Sequence, residues 1–115
     1  MSDDTTPLET TWLTMPDLVE ALGEPLGRVR QRIEDAQLIG SRRTGVFAVP
    51  AVFIVDGAPL GSLRGTVFSL RDAGLSDDEA IDWLLSYDET IGRPPLAALL
   101  AGHKSEVRRV ARTLL

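Results

Sequence analysis

The sequence predicts a mainly α fold in which two short helices are closed by a small β wing and followed by a helical second half. Three observations carry that prediction. Apolar residues recur at helical spacing in successive short segments, opened by capping residues or prolines and often closed by glycine. Near the middle, a glycine-bounded polar turn leads into the β-prone Val46-Phe47-Ala48-Val49. Residues 20–45 also gather five arginines in a chain whose net charge is −5, and that imbalance asks for a physical reason.

A chain of 115 residues with 43 % apolar content has the size of one domain, or of one small domain with a packed extension, and suffices for a core. No apolar run approaches the ~18 residues that cross a bilayer, and the N-terminal MSDDTTPLETTW is acidic where a signal peptide is basic. A cytoplasmic protein without membrane contact is expected. Cysteine is absent and histidine occurs once, at His103, which excludes disulfides, thiol catalysis and a histidine-rich zinc site. The sequence holds no phosphate loop, no nucleophile beside a base and no metal-ligand cluster, so neither enzyme activity nor a cofactor is expected.

Cut into four, the chain alternates in sign. Residues 1–25 hold six acids and no base, and residues 26–64 hold six arginines against three acids. Residues 65–102 hold two bases against seven acids, and residues 103–115 four bases against one acid. An acidic total normally argues against a nucleic-acid partner, but phosphate responds to the local surface field. The placement of the basic segments therefore decides the reading.

Thr14 is a good N-cap for Met15-Pro16-Asp17-Leu18-Val19-Glu20-Ala21-Leu22, which has Leu18, Val19 and Leu22 on one face. Gly23 suits a left-handed stop, and Pro25 suits the start of a second helix over 25–37, whose buried face is expected from Leu26, Val29, Ile33 and Ala36. Two short helices joined by so short a glycine-containing turn cross steeply, as in a helix-turn-helix. At 100° per residue, Gly27, Arg28, Gln31, Glu34 and Asp35 point away from the apolar stripe, with Arg30 and Arg32 on its flanks. Glu34 and Asp35 repel phosphate but orient the arginines through pairs such as Arg30 with Glu34.

The segment after Leu38 and Ile39 reads as a hairpin with Arg42 and Arg43 near its tip at 41–45. A helix-turn-helix followed by a basic hairpin is the order of a winged helix. After Pro50, the Asp56-Gly57 pair suits a second small hairpin, and a short helix over 51–54 fits equally well. Helices follow: one capped by Ser62 or Gly61, one opened by a Ser76/Glu79 capping box, one begun by Pro94-Pro95, and one capped by Ser105. The domain expectation is an acidic, flexible tail at 1–11, a winged helix-turn-helix at 12–60 and a helical domain at 61–115.

The stretch LTMPDLVEALGEPLGRVRQRIEDAQLIGSRRTGVFAVP resembles the excisionase and MerR-like winged helix-turn-helix module. With FIVDG, GLSDDEAIDWLL and IGRPPLAALLAGHKSEVRRVA, the chain from about Thr14 resembles an actinobacterial DNA-binding regulatory family whose mycobacterial members are linked to serine/threonine protein kinases. The C-terminal stretch is also similar, more loosely, to the toxin-binding domain of Xre-type antitoxins. The resemblance implies a DNA-binding protein without catalysis. The alternative is an interaction module whose helical domain holds a protein partner.

Within that frame Arg28 and Gln31 are expected at base edges, and Arg30, Arg32, Arg42 and Arg43 on phosphates of double-stranded DNA. Thr5, Thr6, Thr10 and Thr11 are either solvated tail residues or, chiefly on the resemblance, targets of a serine/threonine kinase. Asp77, Asp78, Glu79 and Asp82 suit a helix N-terminus better than a metal site. Trp12 and Trp83 are expected as packing anchors, and His103 as a loop or capping residue. Arg108, Arg109 and Arg112 either extend a DNA surface or stay in water.

Overall fold

Thr14 ends strand β1 (Trp12–Thr14) and opens helix α1 (Met15–Leu22) in the computed structural model, which describes residues 6–114. Its N–H donates to the Asp17 carboxylate at 3.0 Å and its hydroxyl to the same oxygen at 2.9 Å. The first turn is thus closed by its own acid. Helix α1 stops where Gly23 takes φ 64°, a left-handed conformation that costs a residue with a Cβ about 1–2 kcal/mol. After Glu24 and Pro25 helix α2 (Leu26–Glu34) begins, so only three residues join the helices and the steep crossing of a helix-turn-helix follows.

Helix α2 ends three residues before the predicted boundary at 37. Ala36, which the helical spacing placed on the apolar stripe, has φ 61° and is buried, and Gln37 N–H turns back to Arg32 O at 2.9 Å. This is a glycine-type helix stop built without a glycine, so composition did not mark it. The buried side chain of α2 is Val29, whereas Leu26 is 40 % exposed.

Beyond the buried Leu38 and Ile39, Ser41 and Ala48 exchange backbone hydrogen bonds of 2.9 Å and close the wing loop 42–47. Gly45 turns that loop at φ 108°. Strand β2 (Ala48–Pro50) then pairs antiparallel with β1, placing Thr14 opposite Ala48, Leu13 opposite Val49 and Trp12 opposite Pro50. Gly40 is needed at the base of the wing, because a Cβ there would lie 2.6 Å from Ala48 O and 2.5 Å from the Phe47 ring. Both alternatives after Pro50 occur in series. One turn of 3-10 helix covers Ala51–Phe53, and β3 (Ile54–Val55) pairs with β4 (Ala58–Pro59). Asp56 and Gly57 take the two positive φ angles, 51° and 77°, that the tight hairpin demands.

The chain divides into two compact units, one spanning Thr10–Arg64 and the other comprising, among described residues, 6–9 and 65–114. Helix α3 (Leu63–Asp72) starts at the end of the first and is followed by α4 (Asp77–Leu85), α5 (Pro95–Leu100) and α6 (Lys104–Ala111). Val67, Leu70, Ile81, Leu84, Leu96 and Val107 are fully buried in the second unit. The capping box at α4 forms as read, with Ser76 N–H donating to Glu79 at 2.8 Å and Glu79 N–H to Ser76 Oγ at 3.2 Å. Its acids therefore sit where the helix dipole favours them. Helix α6 starts two residues earlier than expected: His103 holds the N-cap position and Ser105 lies in the first turn. In α3, Gly65 leaves room for the guanidinium of Arg108, which a Cβ would meet at 2.6 Å from Cζ. Arg108 is accordingly half-buried against α3, while Arg109 and Arg112 are exposed. Within the stretch read as a tail, Leu8 N–H donates to Leu85 O at 2.8 Å.

Gly40→Ala tests the packing of the wing base. It is expected to lower stability by about 1–3 kcal/mol, the range for overpacking, as a lower urea midpoint at unchanged slope; an unchanged midpoint would contradict the close approach.

Candidate nucleic-acid interface

Helix α2 and the wing present the arginines that the sequence singled out. Arg28, Arg30 and Gln31 are exposed on α2, and Arg42 and Arg43 are exposed on the wing loop. Arg30 and Arg42 line the same shallow cavity of about 280 Å³, together with Met15, Ile33, Glu34 and Phe47. Residues twelve positions apart are thereby brought to one surface. Glu34 adds an acid to that surface. The i,i+4 pair on this helix joins Gln31 to Asp35, with Nε2 donating to Oδ1 at 3.2 Å, which holds Gln31 on the outward face.

Arg32 behaves differently from its neighbours. Its Nε donates to Glu24 Oε1 at 2.6 Å, Nη2 to Glu24 Oε2 at 2.7 Å and Nη1 to Gln37 Oε1 at 2.6 Å. The Arg32 and Glu24 side chains retain only 23 % and 20 % of their exposure. Arg32, expected on phosphate, holds a carboxylate on one edge of its planar fork and an amide on the other. The hydrogen bond from Arg32 holds the Glu24 carboxyl below its ordinary value of 4.5, and the same bond raises the Arg32 pKa.

On the wing, Ser41 is buried and its Oγ accepts from Arg43 N–H at 3.0 Å and from Arg43 Nε at 3.3 Å. The Arg43 guanidinium lies over the Trp12 ring, 5.2 Å from its centroid, within range of a cation–π attraction. Trp12, expected as a packing anchor, is half-buried and carries this arginine on its face. Arg64, not singled out in the sequence, donates from Nε to Asp35 O at 2.8 Å and so satisfies a carbonyl at the end of α2. Arg64 had no local signal, since Asp35 lies 29 residues away and only the fold brings it near, whereas Ser41 acts on Arg43 two residues on, a local serine turn that the sequence could have suggested.

The four threonines separate by environment. Thr5 lies outside the described residues. Thr6 and Thr11 are exposed, whereas Thr10 is half-buried. Its hydroxyl donates to Thr11 O at 2.8 Å and accepts from Val52 N–H at 3.2 Å.

Two family models match the chain in succession. The wHTH domain of the DNA-binding protein Rv2175c matches residues 1–54, and the Rv2175c C-terminal domain of unknown function matches residues 60–114. The DNA-binding protein Rv2175c of Mycobacterium tuberculosis (strain ATCC 25618 / H37Rv) is 33 % identical over 78 residues, which are 67 % of this chain and 53 % of that protein. The chain thus spans about half the length of the curated relative it matches. The NMR structure of Rv2175c superposes with a TM-score of 0.80 at 25 % identity, covering 99 % of this chain and 93 % of that one. No helix among the described residues is long and apolar enough to cross a membrane.

The depressed Glu24 carboxyl makes the two-helix unit sensitive to acid. A lowered folded pKa means that the pair contributes fully above the ordinary value of 4.5 and is lost as pH falls through the lower folded value. Wild type is therefore expected to be more stable than Glu24→Gln at pH 7, with the difference closing as pH falls through the lowered folded value. Thermal melts from pH 3 to 8 measure it, and a gap that widens in acid would contradict the pairing.

Proposed function

Because the chain belongs to the two-domain Rv2175c family, with its DNA-binding winged helix-turn-helix domain, we propose that it is a transcriptional regulator that grips duplex DNA with α2 in the major groove and the wing along the backbone. The observation that carries this reading is the surface shared by Arg30 and Arg42. Base-reading falls to Arg28 and Gln31, both exposed on the outward face of α2. Phosphate contact falls to Arg30, Arg42 and Arg43, the last held in place by Ser41 and Trp12. Arg32 is left out of this set because three of its five donors are engaged within the domain, two of them on a carboxylate.

Regulation through the N-terminal threonines is part of the same proposal. Thr11 is exposed and directly precedes Trp12, the residue that carries Arg43. A phosphate there would bring almost two negative charges and oxygens well matched to a guanidinium. It would compete with DNA for the wing arginine. Thr6 is the second exposed site, and Thr10, with its hydroxyl engaged, is the poorer substrate.

Three phosphate contacts per chain give an expected slope of about −3 in log affinity against log salt, measured by fluorescence anisotropy on labelled duplex. Arg42→Ala should flatten that slope by about one for every sequence. Arg28→Ala should cost about 1–3 kcal/mol on a selected site only. A salt-independent signal would overturn the DNA reading. Affinity for the kinase-treated chain should fall, and Thr11→Ala should abolish most of that fall; equal affinities before and after treatment would remove the regulatory part alone.

A further inference from the structure

Six arginines lie between residues 26 and 64, and the simplest electrostatic picture assigns all of them to the nucleic acid. The structure gives two of them partners within the domain, Arg64 at the Asp35 carbonyl and Arg32 at the Glu24 carboxylate, and Arg32 lies on α2 itself. We infer that Arg32 is a positioning residue of the reading helix, a clamp that holds the inter-helix turn and the end of α2 together and thereby fixes where Arg28 and Gln31 meet base edges. This inference rests on the DNA-binding reading proposed above.

The geometry is specific to a clamp. Glu24 belongs to the three-residue turn before α2, and Gln37 lies three residues after α2 ends. Arg32 reaches both, with two bonds to the Glu24 carboxylate at 2.6 and 2.7 Å and one to Gln37 at 2.6 Å. One side chain in the last turn thus ties the segment entering the helix to the segment leaving it. The paired carboxylate has a second consequence. A phosphate approaching Arg32 would meet Glu24 beside it, and that like charge opposes phosphate binding. Arg28 and Gln31, one turn and one residue before Arg32, share its rigid helix, so any rotation of α2 about its axis carries all three together. At the end of α2 the Gln37 N–H to Arg32 O bond of 2.9 Å adds a backbone tie at the same residue.

Two roles for Arg32 predict opposite results. A phosphate anchor needs charge and little else, whereas a clamp needs the planar two-pronged donor that lysine lacks. Neutralising Glu24 would free a phosphate anchor and tighten DNA, but it would loosen a clamp. The test compares wild type, Glu24→Gln, Arg32→Lys and Arg32→Gln. The probes are a duplex enriched by wild-type selection from random sequence and a shuffled duplex of equal composition, each titrated at several salt concentrations, with circular dichroism confirming that each variant is folded.

The clamp predicts that all three variants lose about five-fold or more of the preference for the selected duplex, while shuffled-duplex affinity and its salt slope stay at wild-type values. It also predicts that Glu24→Gln combined with Arg32→Gln is no worse than either alone. Full retention of preference by Arg32→Lys, tighter binding by Glu24→Gln, or a slope flattened by about one in Arg32→Gln would each overturn the inference and make Arg32 a phosphate contact. Failure of the wild type to bind either duplex would instead overturn the DNA-binding reading on which it stands. Should Arg32→Gln fail to fold, Glu24→Gln and Arg32→Lys decide the question by themselves.

Discussion

The crossing of α1 and α2 depends on the three residues between them. Gly23 supplies the left-handed φ of 64° that reverses the chain, Pro25 holds the N-cap position with its carbonyl accepting from the Arg28 and Val29 N–H groups, and Glu24 between them holds Arg32. With so short a connection α2 has few ways to lie across α1, and the Glu24–Arg32 bond ties the turn to the last turn of α2. The outward face of α2, the cavity shared with the wing and the exposure of Arg28 and Gln31 all follow from that one crossing. A residue with a Cβ at position 23, strained there, would disturb the site without touching it.

Charge adds a second constraint. A chain of net charge −5 can approach DNA only through a local surface whose field is reversed, because fields beyond about 8 Å are screened at physiological salt. The arginines of residues 26–64 are not equivalent contributors to that surface. Arg32 is neutralised by Glu24, Arg64 gives its Nε to the Asp35 carbonyl, and Arg43 leans on Trp12 with its Nε toward Ser41. Arg28, Arg30 and Arg42 remain exposed on helix and wing. Counting arginines along the sequence therefore does not show which of their donors the fold has already used.

Local signals in the chain were reliable where one short segment decides the outcome. Thr14, Gly23, Ser76 with Glu79, and Asp56-Gly57 each determine a cap or turn through their own backbone and nearest neighbours, and each does so in the structure. What escaped depends on residues far apart in sequence. Strand β1 exists because Trp12–Thr14 pairs with Ala48–Pro50, and three residues carry too little pattern to announce a strand. Ala36 continued the helical apolar spacing, but its burial is achieved in a left-handed turn beyond the helix. The burial pattern was right there while the backbone conformation was not. Likewise the side-chain direction of Arg32 was legible from helical geometry, whereas its partners Glu24 and Gln37 became apparent only when both flanks of the helix were placed.

The most direct test of the central claim, that α2 and the wing together form the DNA-facing surface, is a map of backbone amide shifts in the isotope-labelled chain titrated with duplex DNA. Contact by this surface predicts shifts concentrated in Leu26–Glu34 and in the wing loop 42–47, with α4 and α5 unmoved. Shifts confined to α4, α5 and α6, with α2 and the wing silent at saturating DNA, would contradict it.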